Sequence, residues 1–453
     1  MIVSSRHDLC HDLLLPALLF AALGGMTWAV RGCSGFGATN GCIFAGVTWG
    51  AAWWFIARDP SPLQSRPYHS GWIILALTIG IGISGARGWM QWPSFFEGHL
   101  QTNTPRGEFV PISKSYGYLW LFIAGVPWAG LGACMLAWCN SLRVTRLGDW
   151  ALRLSCGIAF VVLARILFRQ FPEIFLPLYK TIRSQYDDLG SNPNLRRLIN
   201  DNRAAIAHLG LYLGFLVAEL IRRDWRNVTL ISTVGLANGV GWALCQNWKW
   251  ASTLWPKANF NFWRCWESSG GISIGLAYGL AYYLANRPIN EKYNVSFLAG
   301  MENTHPNLER MGAYLGLLFG LGLSLKNGLK GWANIYLGDE NHWNHVFWQI
   351  IGPLMLLGLV GLILRIRARP LPTGYGGDIF PQAYLLIWLV LLWQNIIAQL
   401  VTGPKTVWNE MAFKIYYVLL FFVSAVIIYH FHFQKTMSVA QTREKNLTAP
   451  QLV

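Results

Sequence analysis

The stretch Gly117-Tyr-Leu-Trp-Leu-Phe-Ile-Ala-Gly-Val-Pro-Trp-Ala-Gly-Leu-Gly-Ala-Cys-Met-Leu-Ala-Trp-Cys139 contains no charged residue. A bilayer core about 30 Å thick takes roughly 20 residues of helix rising about 1.5 Å each, so this stretch alone is long enough to cross one. Lipid offers no partner for backbone N–H and C=O groups, which leaves helix as the conformation for an isolated span. A strand of a membrane barrel would alternate polar and apolar residues over about 10 positions, and this stretch does not.

Similar stretches recur along the chain, at about 13–30, 41–57, 71–89, 152–169, 205–221, 228–247, 270–285, 311–328, 346–364, 383–401 and 412–430. Composition agrees. The 453 residues are 53% hydrophobic and 13% charged, with a mean hydropathy of +0.33, against about 25% charged in an ordinary soluble domain. The fold expected is an all-α integral membrane protein of about 12 transmembrane helices arranged as six helical hairpins. Residues 1–453 form a single domain, with a short N-terminal segment 1–12, a long outer loop 170–204 and a tail 431–453. The first span reads as a retained helix rather than a leader, because Asp8 and Asp12 stand where a basic stretch would belong.

Twelve spans place both termini on one face. The connections on that face carry Arg58 and Arg66, then Arg143, Arg146 and Arg153, then Arg222, Arg223 and Arg226. Arg287, Lys292 and Arg310 follow, and then Arg365, Arg367 and Arg369. Short basic links favour the cytoplasmic side, so the termini are expected there and the protein in the plasma membrane. The formal net charge of +15 is then largely topology and calls for no nucleic acid. Cys134, Cys139, Cys156 and Cys245 lie within spans, and no C-x-x-C pair occurs; they read as small apolar residues.

Outgoing helices end in clusters of Trp, Gly, amide and basic residues. Examples are Gly25 to Arg31, Ser84 to Trp92, Gly239 to Lys249 and Ser324 to Trp332, with a weaker one at Trp393-Gln394-Asn395. A carboxylate then precedes or opens each returning helix: Glu97, Glu173, Glu267, Glu340 and Glu410. Charge at membrane depth is costly and marks a cavity, a partner or a snorkelling side chain. From these clusters Arg31, Arg87, Trp89, Trp242, Gln246, Lys326, Asn327 and Lys330 are the candidate ligand-binding residues. Arg165, Arg169 and Lys249 extend the basic set at the same ends. Glu97, Glu267 and Glu340 are the candidate acid–base residues, since carboxylates of separated pKa do such work. Asp339, His342 and His345 form a weak metal candidate without a recognised zinc spacing. The 24 Trp crowd the outer loops, which suits an interfacial belt or stacking on a sugar ring. The Gly-rich link from Arg31 to Gly41 reads as a tight turn or an anion nest.

A b-type haem lacks ligands, since only His208 lies well inside a span, and no Walker, nucleophile-elbow or kinase motif occurs. The expectation is a secondary transporter or permease for a small polar or anionic solute. The alternative is a membrane-embedded enzyme acting on a lipid- or sugar-linked substrate at the outer face. A third possibility is a non-catalytic subunit of a larger complex. The bilayer, and an anionic or sugar-like small molecule, are the partners implied. No cofactor is indicated.

Overall fold

The computed structural model describes residues 9–29, 39–57, 66–85, 92–139, 145–258, 260, 262–287, 311–320, 322–323, 326, 338–368 and 408–448. Helix dominates these residues. The long helices are α1 (Leu15–Ala29), α2 (Thr39–Ala57), α3 (Ile73–Ser84), α4 (Ser115–Ala137), α5 (Leu147–Gln170), α6 (Pro193–Ile221), α7 (Trp225–Cys245) and α8 (Phe262–Ala285). They are followed by α9 (Met311–Gly320), α10 (Glu340–Ala368) and α11 (Trp408–Thr448). Among the described residues, seven helical segments are long and apolar enough to cross a membrane, and the helices 41–57, 73–84 and 311–320 are apolar but shorter. The predicted span 383–401 lies outside the described residues.

Six helices close into a ring in the order α1, α2, α3, α4, α7, α8, with α8 returning to α1. Small residues make the ring tight. A Cβ on Gly271 of α8 would stand 2.0 Å from an atom of Gly24 in α1, so these two backbones touch. The α5–α6 hairpin packs outside the ring against α4, and α11 packs on α1. Burial separates the two roles: the apolar window of α4 is 78% buried and that of α5 only 17%. Ile158, Val162 and Ile166 of α5 are exposed, as a lipid-facing helix requires.

Several expectations shift. The span expected at 205–221 is the second half of a 29-residue helix, so much of the long loop 170–204 is helical. Asn202 explains the continuity, because its buried side chain hydrogen-bonds the Phe175 carbonyl and the Trp92 indole. The tail 431–453 is likewise helical to Thr448. The span at 71–89 shrinks to the twelve residues of α3, which stops at Gly85. The all-α reading also misses an antiparallel hairpin, β1 (His99–Asn103) and β2 (Glu108–Pro111). Its turn ends on Gly107 at φ 68°, a left-handed conformation that glycine adopts without penalty.

Candidate functional site

A column of buried aromatic side chains runs between the helices of the ring. Trp28 stands 6.3 Å from Trp49, 6.2 Å from Trp128 and 6.0 Å from Trp242, centroid to centroid. Trp128 and Trp242 meet edge to face at 4.7 Å, and Trp242 meets Trp266 at 5.4 Å. Further along, Tyr278, Trp53 and Tyr282 continue the column. Backbone carbonyls of neighbouring helices hold these rings in place. The Trp49 indole donates to Phe20 at 3.0 Å, and the Tyr278 hydroxyl donates to Ala129 at 2.8 Å. Asn238 of α7 donates to the Gly125 carbonyl of α4 at 2.6 Å.

At the Trp-rich end the column carries polar groups that the ring does not satisfy. Gln246 is fully buried, and neither its amide oxygen nor its amide nitrogen has a hydrogen-bond partner among the described residues. The Trp242 indole nitrogen, four residues earlier on the same helical face, is equally buried and finds no hydrogen bond among the described residues. Buried amides are nearly always paired, and leaving one unpaired costs about 1–3 kcal/mol per group. Glu267, at 1% exposure, is buried next in sequence to Trp266. Trp266 in turn packs on Trp263 at 4.6 Å.

Beyond Trp263 opens a mouth pocket of about 670 Å³. Glu97, Lys249, Arg197, Gln101 and Asn194 line it, with Trp263 as its aromatic wall. The Lys249 ammonium lies 4.8 Å from the Trp263 ring centroid. The β-hairpin is anchored over this pocket, because Asn103 donates to the Ser191 carbonyl and Thr104 N–H donates to the Asn194 side chain, both at 2.9 Å. Ser191 also hydrogen-bonds Asp188, which holds that carboxyl below the usual range. The buried Tyr186 phenol, donating to the Pro177 carbonyl at 2.9 Å, is pushed up by desolvation.

At the opposite end, an ionic cluster that sequence reasoning missed ties the α5–α6 hairpin to α7. The Glu219 carboxylate accepts from Arg153 at 2.6 Å, from Arg222 at 2.7 Å and from Asn227 at 2.9 Å. Arg153 also lies over the rings of Trp138 and Trp150, at 5.5 and 5.2 Å. The chain of contacts continues through the Tyr68 hydroxyl, which donates to Asn227 at 2.6 Å, to Asn286, which accepts from Tyr68 N–H. Arg66 then bonds the Asn286 carbonyl and pairs with Asp12 at 2.6 Å. Helices α5, α6, α7 and α8 and the start of α1 are thus tied at one end. Both partners of its central pair were visible as charges within adjacent predicted spans, Arg153 in 152–169 and Glu219 in 205–221.

No protein-family model, curated protein or solved structure matches the chain. The site therefore rests on its own geometry.

Of the residues singled out in the sequence, Trp242 and Gln246 come together inside the ring, with Lys249 and Glu97 at its mouth. Lys326 is buried, with its ammonium 5.4 Å from the Trp348 ring centroid. Arg31, Arg87, Trp89, Asn327 and Lys330 lie outside the described residues. Of the candidate carboxylates, Glu97 lines the mouth pocket and Glu267 is buried in the ring. Glu340 opens α10, and its side chain lies outside the described residues. Asp339, His342 and His345 assemble no metal-binding group among the described residues. Asp339 instead accepts the His342 backbone N–H at 3.0 Å, an ordinary helix cap.

Proposed function

We propose that the protein is a multi-pass membrane permease for a small polar solute, which enters at the Trp263 mouth and is held inside the six-helix ring at Gln246. The observation that carries this reading is the buried Gln246 amide beside the Trp column, without a hydrogen-bond partner among the described residues. An amide offers a donor pair and an acceptor, and Trp faces offer stacking. Together they suit a solute with a flat or ring-shaped apolar face and hydroxyl or amide edges. The mouth, with Glu97 against Lys249 and Arg197, favours a neutral or zwitterionic polar solute over a simple anion. With the basic links in the cytoplasm, the mouth faces outward from the plasma membrane.

A test is uptake into proteoliposomes of radiolabelled sugars, amides and amino acids, compared with organic anions and with protein-free vesicles. Selective accumulation of a neutral or zwitterionic class supports the reading. Failure of the whole panel to enter above the protein-free control contradicts it.

A further inference from the structure

On the outside of the ring, away from the solute site, a lateral cavity of about 870 Å³ separates α2, α3, α5, α6 and α9. Its walls are apolar, with Leu75, Ile79 and Ile83 on one side and Val161, Leu211 and Phe319 on the others. Along α3 the lining runs from Leu75 to Ile83, a depth of about 12 Å at the helical rise. That depth is close to one leaflet of a hydrocarbon core about 30 Å thick. The α5 wall belongs to the least buried of the helices that surround the cavity, so the cavity communicates with the lipid-facing surface.

One feature is out of place in such a cleft. Arg165 lines it, five residues before α5 ends at Gln170, which is about 7.5 Å from the helix end. Its guanidinium makes no ion pair or hydrogen bond with any described residue. A charged group at that depth is stabilised by a partner of opposite charge, and a planar guanidinium matches a phosphate oxygen pair.

We propose that this cleft is a specific site for an anionic membrane phospholipid, one acyl chain lying between α3 and α6 and the phosphate resting on Arg165. The occupant is a lipid rather than a peptide or a second copy because the depth matches one leaflet and Arg165, the one arginine or lysine among the described residues that line the cleft, lies toward the helix ends. Thr39 and Thr78 supply hydroxyls along the same walls, and His208 faces it from α6.

The experiment is native mass spectrometry of the full chain released from vesicles of phosphatidylcholine and phosphatidylglycerol in equal amounts. A single Arg near the headgroup region favours the anionic lipid about fivefold, so phosphatidylglycerol adducts should exceed phosphatidylcholine adducts by that ratio. Arg165→Gln changes an exposed side chain and should bring the ratio to about one while adducts persist. Ala204→Phe, which fills the cleft, should remove the retained lipid of both classes. A preference unchanged by Arg165→Gln would overturn the assignment, as would undiminished retention of both lipids in Ala204→Phe.

Discussion

Replacing Glu219 by Gln removes the charge that joins the α5–α6 hairpin to α7. Its carboxylate receives three hydrogen bonds, two from arginines at 2.6 and 2.7 Å and one from Asn227 at 2.9 Å. Arg153 and Glu219 are 1% and 0% exposed, so solvent screens their pair very little. Arg222 keeps a second carboxylate, Asp149, at 3.0 Å, but among the described residues Arg153 has no other acid and its NH1 has no partner. Breaking such a buried pair typically costs about 3–5 kcal/mol, because the remaining charge is stranded, whereas replacing both partners by apolar groups of similar volume is often nearly neutral. Glu219→Gln should therefore destabilise by about 3–5 kcal/mol, and Glu219→Leu with Arg153→Met should recover to within about 1–2 kcal/mol of the parent. The assay is denaturant unfolding in mixed micelles for Glu219→Gln, for Glu219→Leu and Arg153→Met singly, and for the double. A loss below about 1 kcal/mol for Glu219→Gln, or a double variant as unstable as the sum of the singles, would refute the reasoning.

Three further outcomes follow from the packing. Gly271→Ala places a methyl against the α1 backbone at Gly24 and should cost about 1–3 kcal/mol or more, read as a lowered unfolding midpoint; an unchanged midpoint would mean that the two helices do not touch. Tyr68→Phe leaves the Asn227 oxygen without its 2.6 Å donor and should cost about 1–3 kcal/mol in the same assay, with little effect on solute uptake. Lys249→Gln changes the mouth and not the ring, so the apparent KM for uptake should rise several-fold while the maximal rate holds; a fall in the maximal rate alone would place Lys249 elsewhere in the cycle.

The helical class of the chain is legible because an uncharged run such as 117–139 leaves few alternatives to a spanning helix. The ring is not. Its order depends on which small residues face each other, and the Gly24–Gly271 contact joins positions almost 250 residues apart. Hydropathy also misjudges α3 and α6. It runs α3 beyond Gly85, although the helix ends at Ser84, and it starts α6 late because the polar turns holding Arg197 and Asn202 look like loop. At the site, Trp242 and Gln246 could be picked out as an amide and an indole at the same helix end. Their lack of hydrogen bonds could not, since satisfaction depends on neighbours from other helices. The Arg153–Glu219 pair was present in the spans but reads locally as a topology signal and as a weakness in a short span.

We propose that Gln246, which has no hydrogen-bond partner among the described residues, is the group that binds the solute. Gln246→Met keeps the volume and removes both polar atoms, so the empty protein should be as stable as the parent or more so by about 1–3 kcal/mol. The decisive measurement is initial uptake of the best-transported solute by vesicles holding equal amounts of folded parent and Gln246→Met protein. The account predicts a fall of at least tenfold, as expected when an interaction worth about 1.4 kcal/mol or more is lost. Parent-like uptake by a stable Gln246→Met protein would contradict it.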